Sequence, residues 1–143
     1  MKSLLYVSQS LLKLPDEEGE LSRIIEVARQ RNAELSVTGA LVFTQESFAQ
    51  VLEGPSAAVD TLMESIVRDP RHRHVKVVRE LALAERLFAK WTMAYSGPSL
   101  YVERHIRPLL FAAAGDDESH DASERLLYLI EELTRGAACG EAV

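Results

Sequence analysis

The amino-acid sequence predicts an α+β fold, and three observations carry that prediction. Short β-rich runs and amphipathic stretches succeed one another in the order strand, helix, strand, strand, helix, strand, strand. Short polar or turn-forming clusters, Ser8-Gln-Ser10, Thr44-Gln-Glu-Ser47 and Asp69-Pro70, separate these runs. The chain of 143 residues, 47% of them hydrophobic, is also long enough to bury one core without disulfides or a structural metal.

Leu4-Leu-Tyr-Val7 is a compact apolar run ended by Ser8-Gln-Ser10, which reads as a buried strand and a loop. Pro15-Asp-Glu-Glu-Gly-Glu20 supplies negative charge suited to a helix N-terminus. Leu21, Ile24, Ile25 and Ala28 then recur at helical spacing, and the helix is expected to end near Asn32. Val37-Thr-Gly-Ala-Leu-Val-Phe43 and Phe48-Ala-Gln-Val-Leu-Glu53, separated by four polar residues, predict a hairpin. Gly54-Pro-Ser56 opens a second helix with apolar Val59, Leu62, Met63, Ile66 and Val67, and Asp69-Pro70 stops it. Val75-Lys-Val-Val78 and Trp91-Thr-Met-Ala-Tyr95 are the last two strands.

That order is a ferredoxin-like βαββαββ pattern with one extra strand: a five-stranded mixed sheet carrying both helices on one face. The opposite face needs a cover. Leu100–Ala114 and Ser119–Arg135 supply two C-terminal helices, either to pack there or to form a dimer contact. Residues 1–97 form one domain and 98–143 a helical extension, with disorder expected from about residue 136.

Charge and composition narrow the function. With 22 acidic against 16 basic residues and a net charge of -6, the chain lacks the basic footprint of a nucleic-acid binder. No apolar run reaches membrane-spanning length, and the N-terminus is too polar for a signal peptide. The lone Cys139 allows no intrachain disulfide, which fits a reducing, cytoplasmic setting. Nucleotide-cradle, hydrolase and zinc-protease motifs are all missing. In the one basic cluster, Arg68-Asp-Pro-Arg-His-Arg-His74, the pair His72 and His74 makes a poor metal site. Arg71 could hold a phosphate group in bidentate fashion.

Gln50 shares a strand face with Phe48 and Leu52, so its amide is expected to be buried and must find partners. An amide carries donors and an acceptor, and rotation re-pairs it, so it suits a polar heterocycle as well as a backbone group. Tyr6 lies in a candidate central strand, and Trp91 and Met93 share one face of the last. By spacing alone, core packing accounts for all four.

Together these segments resemble the BLUF family of flavin-using blue-light sensors. The matching pieces are Leu4-Leu-Tyr-Val-Ser8, Asn32, Val37-Thr-Gly39, Phe48-Ala-Gln-Val-Leu-Glu-Gly54, Asp69-Pro-Arg-His72 and Arg86-Leu-Phe-Ala-Lys-Trp-Thr-Met93. They occur in family order with matching spacing. The resemblance implies that Tyr6 is the photoactive tyrosine, giving an electron and then a proton to the excited flavin. Gln50 is implied as the switch whose hydrogen bonds rearrange, and Asn32 as the partner of the far edge of the isoalloxazine ring. It further implies that Ile24, Leu41, Phe48, Leu62 and Ile66 line the ring, that Asp69, Arg71 and His72 meet the ribityl and phosphate region, and that Trp91 and Met93 relay the signal. Ala28 and Arg31 depart from residues that some relatives carry there.

The cofactor implied is FAD, with FMN and riboflavin as alternatives. The length leaves no room for a cyclase or phosphodiesterase domain, so a short stand-alone sensor is expected rather than an enzyme. Such sensors act as dimers or larger rings on a separate partner protein, with Leu109, Leu110, Phe111 and Tyr128 as contact points. The rival readings are a small acylphosphatase-type enzyme, which lacks its phosphate loop here, and a flavin-free interaction domain.

Overall fold

The computed structural model describes residues 1–13, 16–89, 91–96, 100–111, 117–135 and 140–141; at 18, 91–96, 100–101, 111, 117–119, 135 and 140–141 only the backbone is described. The elements run β1 (Lys2–Ser10), α1 (Glu18–Glu34), β2 (Thr38–Phe43), β3 (Ser47–Gly54), α2 (Ser56–Arg68), β4 (His72–Ala82), β5 (Trp91–Ser96), α3 (Leu100–Phe111), α4 (Asp117–Arg135) and β6 (Gly140–Glu141). The sheet order is β4-β1-β3-β2-β5-β6. β1 lies antiparallel between β3 and β4, and β2 and β3 form the expected hairpin. β5 adds in parallel to β2.

The sheet has a sixth strand where the sequence predicts five. Gly140–Glu141 pairs with Trp91 and Met93 on the open side of β5, within the stretch expected to be disordered. The edge of β5 offers free backbone donors and acceptors, which a short returning segment satisfies. The rest of that tail lies outside the described residues.

Alternation along the central strands builds two cores. Leu4, Tyr6, Leu41, Phe48 and Leu52 face α1 and α2, where they meet Leu21, Ile25, Val59 and Leu62. Leu5, Val7, Ala40, Val42, Ala49 and Val51 face the other way and meet Val102, Ile106 and Leu109 of α3 and Leu126 and Ile130 of α4. The C-terminal helices therefore cover the second sheet face. Leu109 belongs to that core, whereas Tyr128 is 62% exposed. Because β3 is paired on both edges and covered on both faces, every one of its residues is buried.

Two local features set the sheet's shape. A Cβ on Gly39 would lie 2.0 Å from the Val51 carbonyl oxygen, so the β2–β3 approach tolerates only glycine there. β4 carries a bulge opposite Ser8, where the register steps from Val7↔Lys76 to Gln9↔Arg73, and His74 adopts a φ of 54°. The extra residue resets the alternation, so His72 and Val75 both serve the α1/α2 side.

A cleft between the first two helices

α1 and α2 do not close over the sheet along their whole length. Between them lies a cleft of about 750 Å³, counting its open mouth. Ile24, Val27, Ala28, Arg31 and Asn32 of α1 form one wall, at three-and-four spacing along a single helix face. Leu62, Ser65 and Ile66 of α2 form the other, and Leu41, Phe48, Tyr6 and Gln50 make the floor. Asp69, Arg71 and His72 stand at the end where α2 stops. All eleven residues implied as photoactive or flavin-contacting line this one cleft. The side chains of Trp91 and Met93 lie outside the described residues, so their expected relay role is not placed.

The floor is organised around a direct pair. Tyr6 and Gln50 are opposite one another in the β1–β3 register, and the Tyr6 hydroxyl donates to Gln50 Oε1. Burial, and to a lesser degree the negative charge of Asp69, pushes the Tyr6 phenol well above its ordinary 10.0, so it stays protonated. Gln50 is 5% exposed and Asn32 2%, which places two side-chain amides in a largely apolar lining. That combination orients a polar heterocycle while its flat faces meet aliphatic carbon.

His72 closes one side of the floor. Its ring meets Tyr6 and Phe48 edge-on, with centroids 6.2 and 6.1 Å away. Nε2 lies 2.6 Å from the Ile66 carbonyl oxygen, which only accepts, so Nε2 carries the hydrogen. Nδ1, 2.8 Å from Ser8 Oγ, then accepts from that hydroxyl in the neutral ring. Both nitrogens are engaged within the chain, leaving the ring as a wall rather than a free polar group.

At the mouth, Arg71 is gripped by Asp69 in a fork, Nε to Oδ1 at 2.9 Å and Nη2 to Oδ2 at 2.7 Å, and by Glu20 Oε1 at 3.0 Å. Its hydrogen bonds hold the Asp69 carboxyl below the usual range, and those to Asp69 raise Arg71 in turn. Arg31 reaches across the cleft from α1 to Ser65 of α2, Nη1 to Oγ 2.7 Å. Val27 and Ser65 are lining residues that the sequence reading missed. Their positions, three from Ile24 and three from Leu62, were the available signal.

Comparison with known proteins gives a concordant result. Residues 1–94 match the family model described as sensors of blue light using FAD. The photoactivated adenylate cyclase subunit beta of Euglena longa is 39% identical over 94 residues, which is 65% of this chain and 11% of that protein. The chain thus spans only about a tenth of that curated relative's length. Among solved structures, BlsA in its photo-activated state superposes with a TM-score of 0.73 at 25% identity over 97% of each chain. BlrB, a BLUF protein in its dark state, gives 0.67 at 26% identity over 90% of this chain and 95% of its own.

Proposed function

The chain belongs to the BLUF family of blue-light sensors using FAD, and on that premise we propose that the cleft between α1 and α2 holds the flavin, with Tyr6 and Gln50 as its photoactive pair. The observation that carries the proposal is the Tyr6–Gln50 hydrogen bond on the floor of an apolar slot, with the second amide, Asn32, in the same lining. The residues fit a flat ring with one polar edge: aliphatic walls from Ile24, Leu62 and Ile66, and amides at the base.

Flavin, when bound, supplies the blue-light absorption and an excited-state oxidant. The chain's part is to hold a transferable proton on the Tyr6 phenol and a reversible acceptor at Gln50. Rotation of the Gln50 amide would place its NH2 group against the Tyr6 oxygen, reversing the direction of that hydrogen bond. A buried pair has few alternative partners, so the reversed arrangement is a distinct state rather than a blurred average. Trp91 and Met93 would then carry that state along β5. Arg71, held by Asp69 and Glu20, would hold the flavin phosphate by a charge-assisted contact, with His72 as a packed wall beside it.

For output, this sensor works by contact on a separate protein and assembles with copies of itself, α3, α4 and β5 being the parts that report. Its Euglena relative is an adenylate cyclase subunit, which supports reading this module as the input of a signalling pair. The sheet is ferredoxin-like, widened by β5. Among the described residues no helix is long and apolar enough to cross a membrane.

The deciding experiment is reconstitution with FAD, FMN and riboflavin in turn, followed by absorption spectroscopy under blue light. A yellow protein whose flavin band shifts reversibly to the red supports the reading. A chain that takes up no flavin, or whose flavin bleaches by reduction, overturns it.

A further inference from the structure

On the face of β3 opposite Gln50, the carboxylate of Glu53 is fully buried and faces the α3/α4 core. Its two oxygens accept backbone N–H groups from consecutive residues of the β4–β5 loop: Oε2 from Leu87 at 2.7 Å and Oε1 from Phe88 at 2.8 Å. A second layer locks the same loop. Arg86 donates through Nη1 to Thr38 Oγ1 at 2.9 Å and to the Glu53 carbonyl at 3.1 Å, and through Nη2 to the Ser36 carbonyl at 2.7 Å. Thr38 in turn points its hydroxyl at Glu53 Oε1, 3.4 Å away. Phe88, itself buried in that core, lies three residues before Trp91, where β5 begins.

Burying a carboxylate is unfavourable unless its lone pairs are filled, so a chain that only needed a filled core would place an aliphatic residue here. What the carboxylate supplies instead is a fixed position for the loop. β3 is thus one rigid element with a photoactive amide on one face and, three residues on, a loop clamp on the other.

We propose that Glu53 is a positioning residue that couples the hydrogen-bond state of Gln50 to β5 by holding the 86–88 loop to β3. The inference rests on the photoreceptor reading and names the route by which its signal leaves the cleft. Movement of β3 when Gln50 re-pairs shifts the clamp, and the clamp shifts the start of β5. Without the carboxylate, the loop no longer follows β3.

The test uses the flavin-loaded full chain and the variant Glu53→Gln, which keeps the size but opposes an NH2 donor to one of the two loop N–H groups. Two readouts are taken: amide hydrogen exchange at Leu87 and Phe88 in the dark, and the light-minus-dark change in emission of Trp91, the sole tryptophan. The expected result is a normal flavin red shift, exchange at both amides faster by roughly tenfold or more, and loss of the Trp91 response. Unchanged exchange, or faster exchange with the Trp91 response intact, overturns the proposal. Should Glu53→Gln not fold, Thr38→Val, which removes only the hydroxyl relay, is expected to move both readouts in the same direction and overturns the proposal if it moves neither. A wild-type protein with no red shift is the separate failure of the photoreceptor reading, and the coupling falls with it.

Discussion

Tyr6 and Gln50 are cross-strand neighbours joined by a hydrogen bond, and both are almost wholly buried, at 4% and 5% exposure. Strand pairing and not a loop positions them, so their separation is set by the sheet. Removing the hydroxyl with Tyr6→Phe leaves the Gln50 acceptor without its donor, a loss of about 1–3 kcal/mol for a buried group. That variant and Gln50→Ala are expected to retain flavin, because the walls are untouched, and to lose the light-induced red shift. Absorption difference spectra of the loaded variants check this; a full-size shift in either would remove the pair from the mechanism.

The buried phenol also gives a pH signature. Its folded-state value lies above the ordinary 10.0, so the neutral form is favoured by folding. The stability associated with Tyr6 is therefore complete below pH 10 and declines as pH rises beyond it, since there the unfolded chain ionises first. Denaturant titrations between about pH 9 and 11 should show a steeper fall for wild type than for Tyr6→Phe. Parallel curves would contradict the burial.

Much of this site was legible in the sequence, but as a site only through the family resemblance. The two-residue period put Phe48 and Gln50 on one strand face and the helical period put Ile24, Leu62 and Ile66 on apolar helix faces, patterns that core packing alone explains. What was not legible depends on irregular backbone or long-range contact. His72 read by spacing as part of a solvated basic corner, and by resemblance as meeting the ribityl and phosphate region. That its ring also lies edge-on to Tyr6 and Phe48 follows from the bulge at His74, and no motif announces a bulge. Nor does spacing reveal that Arg31 crosses to Ser65, or that Glu53 holds a loop more than thirty residues away. β6 is two residues long, too short for any periodicity to show.

The Arg71 fork with Asp69 and Glu20 leads to a ligand-specific prediction. If Arg71 meets a phosphate, that contact matters for FMN and FAD and not for riboflavin, which carries none. Arg71→Ala should weaken FMN and FAD binding by about tenfold, the scale of one charge-assisted hydrogen bond at a partly exposed site, and leave riboflavin unchanged. Fluorescence titration with all three flavins decides it, and equal loss for all would assign Arg71 to holding the cleft mouth together.

Gly39 is constrained by contact rather than by φ. With the Val51 carbonyl 2.0 Å from where a Cβ would stand, Gly39→Ala must push β2 and β3 apart at the strand that carries Gln50. Overpacking of this kind destabilises by about 1–3 kcal/mol. The expected outcome is a lowered unfolding midpoint together with a displaced flavin band, since Leu41 and Gln50 are register partners in the same hairpin. A lowered midpoint with an unshifted band would confine the strain to the far end of the hairpin.

The C-terminal helices are part of the folding unit, because among the described residues they supply most of the cover on the second sheet face. Leu126 and Ile130 of α4 and Ile106 of α3 are fully buried against Leu5, Val42 and Val51. Leu126→Ala removes buried methyl groups from a close-packed site and should cost about 2–5 kcal/mol. If the helices were a detachable appendage, that loss would appear as a separate low-temperature transition while the flavin-reported transition stayed put. The shared core predicts the opposite: one cooperative transition, followed identically by far-UV circular dichroism and by flavin release, shifted as a whole in the variant. The same packing means that a change at the cleft floor and a change at α3 and α4 are separated by one layer of sheet. Two transitions in the wild type would break that argument.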